Sequence, residues 1–123
     1  MKWLNLAIGS IAGGFSRYFV AGFVHKTLGT SFPYGTLAVN LSGCFLVGIF
    51  YALAEDKLLL GADEKLLLIT GFCGAFTTFS AFMLETSNLA RDGQPLRAAM
   101  NIGVSVAFGF LLFRLGAHLG RAI

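Results

Sequence analysis

From Gly71 to Phe82 the chain reads GFCGAFTTFSAF, and three kinds of residue in this stretch could act on an ion. Thr77, Thr78 and Ser80 carry hydroxyls that donate or accept hydrogen bonds. Gly71 and Gly74 weaken any helix that runs through them. Phe79 and Phe82 stand three apart, on one helix face, and each ring has a partly positive edge that attracts an anion without supplying a full charge. The chemistry on offer is weak anion recognition, which suits an ion that must leave as readily as it enters.

Two readings of this stretch compete. If the helix breaks near Gly74 to Thr77 and restarts, some carbonyls lose their helical partners and suit a cation, while the new N-terminus suits an anion. Thr77, Thr78 and Ser80 resemble the residues that cap such a restart. In the other reading the glycines allow close helix packing and the hydroxyls bond back within an unbroken helix.

Two further stretches carry polar groups at helical spacing. Thr36, Asn40 and Gly43 place a hydroxyl, an amide and a gap on one face, behind a Pro33 expected at the first helical position. Asn101, Ser105 and Gly109 repeat the pattern at intervals of four. Polar stripes on two helices suggest a shared lining, although a buried Asn in a membrane helix also serves simply to bond a neighbouring helix.

The elements that must position these groups follow from composition. The chain has 123 residues, of which 56% are hydrophobic and only 12% charged, a balance that belongs in a membrane. About 20 apolar residues cross the roughly 30 Å hydrocarbon core. Four segments are long enough: Trp3 to Val24, Pro33 to Ala54, Lys65 to Thr86 and Leu96 to Leu119. The connections hold most of the charges and turn residues and are short, as antiparallel neighbours require. The expectation is an all-α membrane protein in which residues 1–123 form a single four-helix domain. The first apolar run contains Arg17 and has no clear small-residue cleavage site, so it reads as a retained span rather than a signal peptide.

Orientation follows the Lys and Arg balance between the two sides. One side carries Lys2, Lys57, Lys65 and Arg121; the other carries Lys26, Arg91 and Arg97, with Arg17 and Arg114 free to snorkel to opposite faces. The near balance leans toward insertion both ways up, for which an antiparallel twofold dimer is the simplest closed assembly. A single orientation under weak bias stays open.

Other classes fit poorly. Cys44 and Cys73 fall in separate spans without metal-ligand spacing and read as packing thiols. The net charge of +3 is scattered over the helix ends rather than gathered into a patch, which argues against nucleic acid. No nucleophile and base or metal set can be assembled, which argues against an enzyme.

TGFCGAFTTFSAF (residues 70–82), FPYGTLAVNLSG (32–43) and GGFSRY (13–18) together resemble the Fluc/CrcB fluoride channel family, and the similarity covers all four spans. The resemblance implies a dual-topology antiparallel homodimer in the cytoplasmic membrane, with a break in the third helix and two fluoride pathways. It places Phe79, Phe82 and Asn40 in the pathway, with Ser80 and Thr36 at matching polar positions. Gly74 and Thr77 match positions whose backbone carbonyls, from both copies, hold a structural sodium ion. Ser105 keeps the polar character of the fourth span, while Asn101 stands where some relatives carry tyrosine. Glu85 matches an acidic position without an assigned role. Arg17 matches the arginine of the first span, where it could enrich anions in a vestibule, snorkel or cap a helix.

Two rivals remain. A proton-coupled multidrug exporter also has four spans, but it needs a membrane-embedded carboxylate; the first span has none and Glu85 lies near a helix end. A noncatalytic assembly protein would explain Gly9/Gly13 and Gly116/Gly120 as packing pairs, but not the conjunction of Asn40, the hydroxyl cluster and the phenylalanine pair.

Overall fold

The computed structural model describes residues 1–123 as four helical spans, Lys2–Leu28, Tyr34–Asp56, Ala62–Arg91 and Pro95–Ala122, each long and apolar enough to cross a membrane. The chain is a multi-pass membrane protein. At four of the eight ends the helices run three to five residues past the apolar windows, because helical hydrogen bonding continues into the polar boundary where charged side chains are solvated. Pro33 sits one position earlier than expected, at the cap rather than the first helical residue, and its carbonyl accepts the Leu37 N–H at 3.1 Å. The second span widens to π-helical turns over Ala52–Asp56, as does the third over Leu66–Cys73.

The third span is not uniform. Helical backbone runs through residues 62–76, including Gly71 and Gly74, and is lost only at Thr77 and Thr78, both extended (φ −91°, ψ 160° and φ −150°, ψ 123°). A second helical half then runs from Phe79 to Arg91. Weak helix propensity at the glycines therefore did not decide where the geometry changed.

Apolar attraction between helices is weak in lipid, so close backbone approach has to supply the packing. Gly9 and Gly13 bring the first span onto the third, and Gly116 and Gly120 bring the fourth onto the second. A Cβ at Gly13 would collide with the Phe72 carbonyl oxygen, and one at Gly116 with that of Phe45. Backbone cannot rotate aside as a side chain can, so these contacts admit glycine alone. At the end that carries the chain termini, Lys65 pairs with Glu55 at 3.1 Å and Arg121 with Asp56 at 3.2 Å. All four side chains are solvent-accessible, so each pair contributes at most about 1 kcal/mol.

Gly13→Val should destabilise the bundle by about 1–3 kcal/mol, the usual range for overpacking. Gly22→Val, at a position with open space around it, should be nearly neutral. Unfolding by increasing sodium dodecyl sulfate in mixed micelles compares the two, and equal midpoints would contradict the packing account.

Candidate functional site

The Thr77 N–H still donates to Cys73 O at 3.0 Å, while the extended conformation takes both backbone groups of Thr78 out of the helical ladder. Asn40 of the second span meets them: its Oδ1 accepts the Thr78 N–H at 2.8 Å and its Nδ2 donates to the Thr78 carbonyl at 3.0 Å. One side-chain amide thus satisfies both peptide groups of one residue, as a neighbouring strand would. The Thr78 hydroxyl accepts the Ala81 N–H at 3.3 Å, the bond of an N-cap, and opens the second helical half. Thr77 behaves otherwise, donating from Oγ1 to Cys73 O at 2.9 Å. Of the two local roles open to these hydroxyls, Thr78 takes capping and Thr77 takes back-bonding.

Immediately beyond the cap, Phe79 and Phe82 meet at a ring-centroid distance of 5.9 Å and an interplanar angle of 75°, edge to face. Phe82 is 7% exposed, whereas Phe79 is 72% exposed on the outer surface of the bundle. Both line a groove of about 370 Å³ together with Asn40, Cys44, Val47, Thr77, Thr78, Ser105, Val106 and Phe113. Its polar side chains are those of Asn40, the two threonines and Ser105; the remaining walls are largely apolar. The amide of Asn40 has a second N–H beyond the one given to Thr78, so it holds the backbone and still has a donor left over.

The groove therefore brings together Asn40, Phe79, Phe82 and Ser105 among the residues singled out from sequence, with Thr77 beside them. Thr36, Ser80 and Asn101 lie outside its lining. Thr36 is buried, and Ser80 is exposed on the second half of the third span. Asn101 is 2% exposed and turned toward the third span, where its Nδ2 donates to Thr86 Oγ1 at 2.9 Å. Arg17 donates from Nε to the Ala75 carbonyl at 3.0 Å, which caps the end of the first half of the third span. Glu85 faces a different, more polar pocket of about 480 Å³ near the helix ends, which also includes His25, Ser31 and Asp92.

Cys44, read as a packing thiol, lines the groove one turn beyond Asn40, and Phe113 lies two turns beyond Ser105. Both stand at intervals of four from residues already singled out, so helical spacing was a usable signal for them.

Carbonyl oxygens are also released here. The Thr78 N–H, which in a continuous helix would serve Gly74 O, is bound to Asn40. The Ala81 N–H, which would serve Thr77 O, is bound to the Thr78 hydroxyl. Gly74 is exposed on the outer surface of the bundle. Unwound carbonyls of this kind are hard oxygen donors suited to sodium, so the donor set at Gly74 and Thr77 fits an alkali cation.

Four apolar spans, three of which line a partly polar groove, define a small integral membrane protein. The family model described as CrcB-like protein, Camphor Resistance (CrcB) matches residues 4–117, and the chain belongs to this family. It is 44% identical over 122 residues to the fluoride-specific ion channel FluC of Maridesulfovibrio salexigens, covering 99% of this chain and 97% of that protein. It is 45% identical over 125 residues to the fluoride-specific ion channel FluC of Methylocella silvestris, covering 100% of this chain and 95% of that one.

Asn40→Ala leaves the N–H and C=O of Thr78 without partners at membrane depth. The expected loss is about 1–3 kcal/mol for each orphaned group, read as a lower unfolding midpoint in mixed micelles. A midpoint equal to that of the unaltered chain would show that the backbone at Thr78 does not depend on this amide.

Proposed function

We propose that the chain is a passive fluoride channel of the cytoplasmic membrane that works as an antiparallel homodimer with two pathways and confers fluoride resistance. The observation that carries this reading is the groove itself, whose lining combines Asn40, Thr77, Thr78 and Ser105 with the edge-to-face rings of Phe79 and Phe82. The fluoride channels named among the relatives support it at full length.

Fluoride is small and holds its water tightly, so a selective route has to replace those waters in a space too narrow for larger halides. The spare N–H of Asn40 and the hydroxyl of Ser105 supply hydrogen bonds, and the two rings supply weakly positive edges. Ser80 and Thr36 serve the same route outside the groove, and Asn101 supports it from the fourth span. No full positive charge lines the groove, which keeps binding weak enough for release. Arg17, engaged with Ala75 O, holds the third span and adds positive potential near the route.

Two features favour a second copy. From Asn40 to Val47 the groove spans about 10 Å of helix at 1.5 Å per residue, far short of the roughly 30 Å core. Phe79 and Gly74 are exposed on the subunit surface, where a partner in the bilayer would cover them. The near balance of basic residues between the two sides allows that partner to be inverted. The carbonyls of Gly74 and Thr77 from both copies would hold a sodium ion between the subunits, whose charge offsets the gathered carbonyl dipoles.

A passive route suffices for export. Hydrogen fluoride enters cells as a neutral weak acid and dissociates inside. A negative-inside potential then drives the anion out by about 2.3 kcal/mol per charge for each 100 mV.

Efflux from proteoliposomes, followed with a fluoride electrode and with chloride as competitor, tests the reading. The unaltered chain should release fluoride and retain chloride; Phe79→Ile and Phe82→Ile should slow release without preventing dimer assembly. Impermeable vesicles refute the channel, and unaltered rates in both variants remove the rings from the route. Exchanging sodium for a large organic cation throughout purification should weaken the dimer or abolish efflux. Full activity and an intact dimer after thorough sodium removal would count against the carbonyl site.

A further inference from the structure

The amide of Asn101 and the hydroxyl of Thr86 form a buried relay that ends on the backbone of a groove residue. Asn101 Nδ2 donates to Thr86 Oγ1 at 2.9 Å, and Thr86 Oγ1 donates to the Phe82 carbonyl at 2.7 Å. The directions are consistent. A hydroxyl has one proton, here given to Phe82 O, so its oxygen accepts from Asn101, and this fixes which end of the amide faces Thr86. Asn101 is 2% exposed and Thr86 8%, and neither lines the groove.

Helix continuity does not explain this arrangement. Back-bonding by threonine within a helix is neutral to slightly destabilising, and burying an amide inside an apolar bundle is unfavourable unless it is paired. The relay does link the fourth span to the turn that carries both rings. Asn40 grips Thr78 just before that turn, and Asn101, through Thr86, grips Phe82 at its end. A ring attracts an anion at its edge and repels it at its face, so the value of Phe82 to an anion depends on the angle at which its helix presents it.

We infer that Asn101 and Thr86 are positioning residues for Phe82, setting the rotation of the second half of the third span and thereby the ring edge presented to the groove. The inference rests on the reading of the groove as the fluoride route.

The test reconstitutes Thr86→Val, Thr86→Ser, Asn101→Leu and the Thr86→Val/Asn101→Leu double variant. It measures fluoride efflux per folded channel, the fluoride-to-chloride permeability ratio and the unfolding midpoint. Thr86→Val, nearly isosteric but without the hydroxyl, should slow fluoride by about tenfold, the low end of the loss when a hydrogen-bonding partner behind a site is removed, and should lower the ratio. Asn101→Leu should act in the same direction, the double variant should be no worse than Thr86→Val alone, and Thr86→Ser should restore rate and ratio. Wild-type rate and ratio in Thr86→Val, with only a lower midpoint, would overturn the relay and leave a purely structural hydrogen bond. If Asn101→Leu fails to assemble, Thr86→Val and its serine counterpart decide alone. Fluoride-tight vesicles of the unaltered chain would instead refute the pathway reading on which the relay depends.

Discussion

Everything distinctive in this bundle depends on one side-chain amide standing in for a peptide. Extended backbone inside a membrane span leaves both peptide groups of Thr78 without helical partners and without water to bond, and each such group left unsatisfied costs about 1–3 kcal/mol. Asn40 offers a carbonyl and an N–H with the spacing of a peptide unit and gives both to Thr78. With that pair made, the helix can stop at Phe76 and restart at Phe79. The restart then supplies the cap at Thr78, the orientation of Phe79 and Phe82, and the released carbonyls of Gly74 and Thr77.

The same logic extends around the bundle. Each of the other three spans sends one polar side chain into the third: Arg17 to the Ala75 carbonyl, Asn40 to Thr78 and Asn101 to Thr86. These three contacts bracket the interruption, one before it, one on it and one after it. Glycines bring the first and fourth spans against their neighbours, so the helices lie close enough for short hydrogen bonds across the bundle. The third span is irregular because its neighbours are built to satisfy it.

Polar side chains in a membrane helix have two uses, holding the fold and meeting an ion, and under the proposed reading the groups divide between them. Asn101 and Arg17 each make one bond to the third span and stand outside the groove lining. Asn40 holds backbone and keeps one donor free, which places it between the two uses. In the proposed pathway the groove offers a small number of polar contacts beside the two rings, a combination that would suit a briefly held anion better than a tightly bound one.

Hydropathy and length by themselves determined the four spans, because roughly 20 apolar residues have few other stable fates, and the motifs of residues 13–18, 32–43 and 70–82 determined the family. Helical spacing also marked Asn40, Ser105 and the phenylalanine pair as sharing faces. It did not separate Asn101 from Ser105, which stand on one stripe but meet different neighbours, nor did it distinguish Thr77 from Thr78. It also passed over Thr86 and the groove wall at Cys44. Those assignments waited on tertiary structure, since periodicity reports which way a side chain points from its own helix, while its partner depends on how closely and at what height the next helix packs.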